Sequence, residues 1–353
     1  MVIADLNNPS PNPLSRRTLL KGVGLVGGAA LLGINAPAAY GDTLTQDLDW
    51  RRGMARHLLE SDAQPTVRPL QGGFEVWEGA RTGYAVVDAD TRIALEYSAT
   101  ASSPFRSRAG ELSYLGPGLY FASRAGQAVD LLTGETSSPT EHRALSLDAA
   151  SLFHEQAIVP AQPATRTVRA QDLDPVLPGN IKSRVTSYGY ITGSYVYPNN
   201  SGICGWVAGS IVTRYWHARS SARKLLPTKF RNGTNMTASP NFASHLQGSG
   251  NDGTWARPVA NRLGWNAQNQ GVAASWSWVL GNVGAASEVR NNRPVILFGS
   301  FPVRRDGKKG GHAVVAYGET HNGYYITHYG WANYTNIVLN GGLVGSNVKF
   351  RLN

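Results

Sequence analysis

Apolar and polar residues alternate in short stretches through the first half of the chain. Residues 74–78 alternate strictly, while 83–88 and 93–98 are brief apolar runs that end at polar turns. Such patterns are typical of strands in an antiparallel sheet. Similar stretches at 118–122 and 127–132 complete the series. The pattern predicts a small β-rich unit over residues 43–158, in which a short helix over 48–59 precedes the strands.

The second half combines one helical pattern with three apolar strands. Apolar residues recur at helical spacing from Val207 to Trp216, which predicts a helix whose first turn contains Cys204. The apolar strands are predicted at 293–299, 311–318 and 324–331, and the Asn322-Gly323 turn makes the last two a hairpin. Two shorter strands are predicted before the helix, at 187–191 and 195–197. The segment 225–286 has no clear period and is interpreted as loops and short helices around a cleft. The expected class is α+β over residues 183–353.

A segment between the two halves has the composition of a linker. Residues 159–182 are rich in Pro, Ala, Thr and Arg and lack an apolar period. The chain has 353 residues, more than a single hydrophobic core usually supports. Two domains joined near residue 180 are therefore expected.

The first residues have the three parts of an export signal. A twin-arginine motif at Arg16-Arg17 precedes an apolar stretch at 22–34 and an Ala36-Pro37-Ala38 cleavage site. The apolar stretch is shorter than the roughly 20 residues that span a bilayer. We expect a signal peptide over residues 1–38 and a secreted protein without a membrane anchor.

Charge and composition exclude several functions. The formal net charge is +10, but Lys and Arg are spread along the chain, and the basic cluster at 304–309 accompanies no nucleic-acid motif. We therefore expect no nucleic-acid partner, although a cationic exported protein can associate with an anionic cell wall. The histidines lack metal-ligand spacing with acids, and one thiol cannot form a zinc cluster. No metal or other cofactor is expected.

Cys204 is the only cysteine, which is unusual for an exported protein because such proteins normally pair their cysteines. In the first turn of a helix, the positive end of the helix dipole favours the thiolate and lowers the thiol pKa. Cys204 is thus either a nucleophile or a small buried hydrophobe. His312 follows two glycines and begins an apolar strand, which makes it the candidate general base. A lone histidine at a strand end can equally be a structural residue.

The second half resembles the papain-like cysteine peptidases, and the streptopain type in particular. The resemblance is carried by three segments together, 204–206, 311–315 and 329–331. The first half, at 82–92 and 95–98, is similar to streptopain propeptides. The resemblance implies a papain-like fold behind a β-rich prodomain, and a zymogen that acts on peptide or protein substrates without a cofactor.

The resemblance also implies roles for individual residues. Cys204 would be the nucleophile and His312 the general base and acid, with Trp331 shielding the base from water. The family has an asparagine that orients the base, and the aligned position here is His328, with Asn333 as an alternative in a shifted register. The family's oxyanion glutamine is replaced by Pro198, so Asn199 or its neighbour Asn200 would donate instead.

Two other functions are compatible with the same residues. The Cys204–His312 pair can serve transglutaminase-like acyl transfer or a cell-wall amidase, because the choice of acyl acceptor depends on the shape of the cleft. A secreted binding protein on an inactive peptidase scaffold is the third interpretation, since a fold does not guarantee a function.

Overall fold

The computed structural model describes residues 56, 59, 64–138, 140, 142, 153, 181–194, 203–219, 224–231, 240–248, 255–299 and 312–353. They all belong to one compact unit, Thr45–Asn353. The predicted signal peptide, most of the predicted 48–59 helix, nearly all of the predicted linker, Asn199, Asn200 and the basic cluster at 304–309 lie outside the described residues. Among the described residues, no helix is long and apolar enough to cross a membrane.

The first half consists of antiparallel strands. In chain order these are β1 (Thr66–Leu70), β2 (Phe74–Glu78), β3 (Tyr84–Asp88), β4 (Ala94–Ser98), β5 (Leu112–Gly116), β6 (Leu119–Arg124), β7 (Gln127–Asp130) and β8 (Thr136–Ser137). The alternation in the sequence therefore located β2, β3, β4, β6 and β7, whereas β1, β5 and β8 were not predicted.

The second half is mixed. Its strands are β9 (Ile181–Arg184), β10 (Ala274–Leu280), β11 (Val295–Gly299), β12 (Ala313–Thr320), β13 (Tyr324–His328), β14 (Ile337–Asn340) and β15 (Val344–Leu352). Its helices are α1 (Gly189–Thr192), α2 (Cys204–Arg219), α3 (Pro240–Gln247), α4 (Ala256–Asn269) and α5 (Ala285–Arg290), with short 3-10 turns at Thr228–Phe230 and Gly341–Leu343.

One large antiparallel sheet crosses both halves of the chain. Its strand order is β1-β2-β3-β4-β14-β13-β12-β11-β15-β10, and β9 also pairs with β12. The junction is the pair β4–β14, where Tyr97 lies opposite Val338 and Glu96 opposite Leu339. Strands β5 to β8 form a second, four-stranded sheet. The first half is thus joined to the second by backbone hydrogen bonds within a shared sheet.

Hydrophobic cores lie on both faces of this sheet. Along β12, Ala313, Val315 and Tyr317 pack in the core that contains α2, α3 and α4. The intervening Val314 and Ala316 pack on the opposite face, among residues of β2 to β6. Because alternate side chains of a strand point to opposite faces, a strand buried on both sides has a continuous apolar run. This explains why β12 was easy to locate from the sequence.

Two local predictions were wrong. Residues 187–191 were expected to form a strand, but they make a turn and the short helix α1, with Ser187 at a φ of 57°. The Ser194 hydroxyl donates to the Tyr190 carbonyl and closes this turn. The segment 225–286 was expected to be irregular, but it contains the 14-residue helix α4 and the strand β10. In addition, β9 begins at Ile181, inside the predicted linker.

Glu288 links α5 to the sheet and makes stability sensitive to acid. The buried carboxylate accepts from Arg293 Nε at 2.6 Å and from Arg351 Nε at 2.9 Å. Burial raises the pKa of Glu288, but the hydrogen bonds from Arg351 and Arg293 outweigh burial, so its pKa lies below the usual value. Because the pKa of Glu288 is lower in the folded protein, its ionised form stabilises the fold. This stabilisation is complete above the unfolded pKa of about 4.3 and is lost as the pH falls through the folded pKa.

We expect Glu288→Gln to lower the free energy of unfolding near pH 7 by about 1–2 kcal/mol, a modest value because the two arginines are partly exposed to solvent. The variant should also lose less stability than the parent below about pH 4. Urea denaturation across this range measures both effects. If the free energies of unfolding of the two proteins fall in parallel with pH below pH 4, Glu288 does not titrate as described.

Candidate active site

Cys204 is the first residue of α2, and its side chain is buried. The helix packs with Val207, Ile211 and Val212 in the core that also contains Val315 of β12. This packing brings the start of the helix next to the start of β12, which His312 precedes directly. At this helix end, the positive end of the helix dipole favours a negative charge on the thiol.

His312 is buried, and its ring makes hydrogen bonds with Tyr329 and Cys204. Its Nε2–H donates to the backbone carbonyl of Tyr329 at 2.7 Å. The other nitrogen, Nδ1, is then available to Cys204, whose side chain hydrogen-bonds His312. Because the carbonyl can only accept, it fixes the tautomer in which Nδ1 accepts the thiol proton.

The electrostatics favour a charged imidazole. Burial lowers the pKa of His312, but the hydrogen bond and charge of Cys204 oppose burial. The Tyr329 carbonyl and the charge of Asp130 act in the same direction, so the pKa of His312 is raised overall. A raised imidazole pKa beside a thiol at a helix start is the condition for a thiolate–imidazolium pair.

Trp331 covers one face of this imidazole. The two rings stack with centroids 4.7 Å apart and an interplanar angle of 22°. Trp331 is half-buried, and the His312 ring against which it stacks is buried. The sequence proposed this tryptophan as the aromatic that shields the base, and its position is compatible with that role.

His328 occupies a different place from the one expected for the orienting residue. It is the last residue of β13, is buried, and its Nδ1 accepts from the Gly330 backbone N–H at 2.7 Å. The acceptor for His312 Nε2 is the main-chain oxygen of Tyr329 instead. Burial lowers the pKa of His328 to about 4, and the charge of His312 acts in the same direction. His328 is therefore neutral and supports the segment next to the base.

The remaining predicted candidates are Asn333 and Asn199, and the structure describes the first of them. Asn333 is exposed, in a turn after Trp331. Asn199 and its neighbour lie outside the described residues, so the oxyanion donor stays a prediction. Sequence analysis missed Tyr329, because a backbone carbonyl carries no residue-type signal. The aromatic residue before Gly330 was part of the motif, but nothing in the motif indicated that its main chain would contact the base.

Tyr329 also contacts the first half of the chain. Its hydroxyl donates to Glu96 Oε2 at 2.8 Å, across a sequence separation of 233 residues. Glu96 lies on β4 and is completely buried. Burial raises the pKa of Glu96, and hydrogen bonds from the surrounding tyrosines oppose that shift.

The first half also reaches His312 directly. Gly118, at the turn between β5 and β6, has a φ of +75°, and a Cβ there would lie 2.6 Å from Cδ2 of His312. Only a residue without a side chain fits so close to the ring. Asp130, at the end of β7, is near enough for its charge to raise the pKa of His312. The turn and the acid both belong to the part that was predicted to be a prodomain.

Among the described residues, no cluster of three or more His, Cys, Asp or Glu side chains has metal-binding geometry.

Comparisons with known proteins give only remote similarities. No family model matches the chain, and no curated protein matches it. A solved fragment of prointerpain A from Prevotella intermedia, a mutant, aligns with a TM-score of 0.39 and 11% identity, covering 81% of this chain and 98% of that one. The active interpain A cysteine protease of the same organism aligns with a TM-score of 0.29 and 14% identity, covering 48% and 94%. Similarity at this level assigns neither a family nor a function.

Proposed function

We propose that this protein is a secreted thiol-dependent peptidase made as a zymogen. One observation carries the proposal: the only cysteine of the chain begins a helix and hydrogen-bonds a buried histidine whose far nitrogen is held by the Tyr329 carbonyl. A nucleophile, a base and a group that orients the base are the parts that covalent acyl transfer needs. Peptides or proteins are the proposed substrates, and no cofactor takes part.

The proposed reaction has two steps. The Cys204 thiolate attacks the peptide carbonyl carbon and forms a C–S bond, and the His312 imidazolium gives its proton to the departing amine. Water then attacks the thioester while His312 takes one of its protons, and the C–S bond breaks, which releases the acid and restores the Cys204 thiolate and the His312 imidazolium. The Cys204 backbone N–H and Asn199 are the proposed donors to the oxyanion.

The position of the first half supports latency. The Gly118 turn lies against the imidazole of His312. The same ring also contacts Cys204, Tyr329 and Trp331. A substrate carbonyl must come within about 3 Å of the thiolate and so needs space beside this ring. In the proposal, cleavage between residues 159 and 180 allows the first half to move from the site.

The test is the rate at which iodoacetamide alkylates Cys204 as a function of pH, read by intact mass in the full chain without residues 1–38. We expect alkylation to persist well below the free-thiol pKa of about 8.5, because His312 stabilises the thiolate. In His312→Ala the alkylation rate should show the pH dependence of an ordinary thiol. His321→Ala, at an exposed turn of the same hairpin, is the matched control and should behave like the parent.

Slow alkylation of the parent chain has two explanations, and cleavage in the linker separates them. If the first half blocks access, alkylation should become fast after cleavage and retain its low-pH component. A thiol that stays unreactive in the cleaved protein would contradict the peptidase and favour a binding protein on this scaffold.

A further inference from the structure

We propose that Glu96 of the first half is a positioning residue for His312, and that it acts through Tyr329. The proposal rests on the proposed function, since it takes His312 as the base. Tyr329 makes both contacts: its carbonyl accepts from His312 Nε2, and its hydroxyl donates to Glu96. The first half would then hold the base in place in the uncleaved chain as well as cover it.

Glu96 is the centre of a cluster of four tyrosine hydroxyls. Tyr84 donates to Oε1 at 2.8 Å, and Tyr120 donates to the same oxygen. Tyr114 and Tyr329 donate to Oε2 at 3.0 and 2.8 Å. A carboxylate is an acceptor with two oxygens, so it can satisfy four donors at once, and a buried network that is fully satisfied is rigid.

The main chain at Tyr329 is fixed from several sides. Its N–H donates to the Tyr334 carbonyl at 2.8 Å, and the next N–H, of Gly330, donates to His328. Gly330 has a φ of 94°, which turns the chain immediately after the carbonyl that His312 contacts. The hydroxyl contact with Glu96 fixes the side chain of Tyr329 as well, so rotation of this residue away from His312 must break that hydrogen bond.

The competing explanation is that the cluster only joins the two halves. Tyr84, Tyr114 and Tyr120 belong to the first half, whereas Tyr329 is the member from the second half. Under that explanation every hydroxyl contributes to stability, and none has a specific effect on His312. A test must therefore compare hydroxyls that share the same carboxylate oxygen.

Tyr329→Phe and Tyr114→Phe form the matched pair, because each removes one donor from Glu96 Oε2. The measurement is the solvent exchange rate of the His312 Nε2 proton in the ¹⁵N-labelled full chain, together with the titration of its ring nitrogens. We expect exchange about tenfold faster in Tyr329→Phe, as for the loss of one hydrogen bond to a charged group. Tyr114→Phe should stay within about twofold of the parent, since its hydroxyl has no link to His312.

Glu96→Gln is expected to resemble Tyr329→Phe, because an amide presents donors where tyrosine hydroxyls also donate. If Glu96→Gln does not fold, the comparison of Tyr329→Phe with Tyr114→Phe still tests the positioning role. Equal exchange in both phenylalanine variants, whether fast or slow, would overturn the positioning role. Titration of His312 that is unchanged by Cys204→Ala would instead contradict the Cys204–His312 pair and hence the proposed function, while the exchange rates would still report on Tyr329.

Discussion

Replacing His312 with alanine is expected to lower the rate of peptide-bond hydrolysis by a factor of roughly 10²–10⁴, the usual contribution of a positioned general acid and base. The loss has two sources. Without the imidazole, Cys204 is a thiol near neutral pH, and no group donates a proton to the departing amine. The helix start still favours the thiolate, so some activity should remain.

The measurement is kcat/KM for a quenched fluorescent peptide mixture, before and after cleavage at a protease site engineered into residues 159–180. Cys204→Ala sets the background, and His321→Ala controls for a histidine substitution at an exposed turn. We expect cleavage to raise the rate in the parent, because the Gly118 turn lies against His312 in the full chain. Hydrolysis that survives in His312→Ala at the parental rate would show that another residue is the base.

The residues that carry the proposed chemistry were accessible from sequence because their signals are local. Cys204 begins a segment with helical spacing, and His312 precedes a strand that is apolar throughout. Trp331 follows the hairpin and was placed beside His312 by resemblance; the structure stacks the two rings. In each case the type of residue and its neighbours in the chain are enough to suggest the position.

The contacts that hold this pair were not accessible, because they depend on long-range pairing or on the main chain. The acceptor for His312 is a carbonyl, which every residue has, so the orienting role was assigned to the side chain of His328 instead. Glu96 and Tyr329 are brought together by the β4–β14 pairing, whose two registered pairs join residues that lie 241 and 243 positions apart in the chain. A resemblance confined to each half gives no information on that junction.

His328 makes a second strong prediction, because it is a buried neutral imidazole. Burial and the charge of His312 lower its pKa to about 4, from an unfolded value near 6.5. The folded protein therefore binds fewer protons than the unfolded chain between these values. The stability that His328 contributes is complete above about pH 6.5 and falls as the pH drops toward about 4.

The size of this effect follows from the two pKa values. The contribution of His328 to the free energy of unfolding should decrease by about 2 kcal/mol between pH 7.5 and pH 5, and by about 3 kcal/mol at pH 4. Protonation also removes the lone pair with which Nδ1 accepts from Gly330, next to the carbonyl that holds His312. Acid should therefore loosen the segment behind the base before it unfolds the protein.

Urea denaturation at a series of pH values, for the parent and for His328→Asn, measures the effect. The asparagine oxygen can still accept from the Gly330 N–H but does not titrate. The variant should be less stable at pH 7.5, because the smaller side chain leaves a cavity. Between pH 7.5 and pH 5 it should lose about 2 kcal/mol less stability than the parent, since all other groups titrate in both proteins. Glu288 affects the pH dependence of stability only near and below about pH 4. The effects of His328 and Glu288 therefore fall in different pH ranges. Equal slopes for the parent and His328→Asn between pH 6.5 and 5 would mean that folding does not lower the pKa of His328, and that Gly330 and the neighbouring carbonyl are held by other contacts.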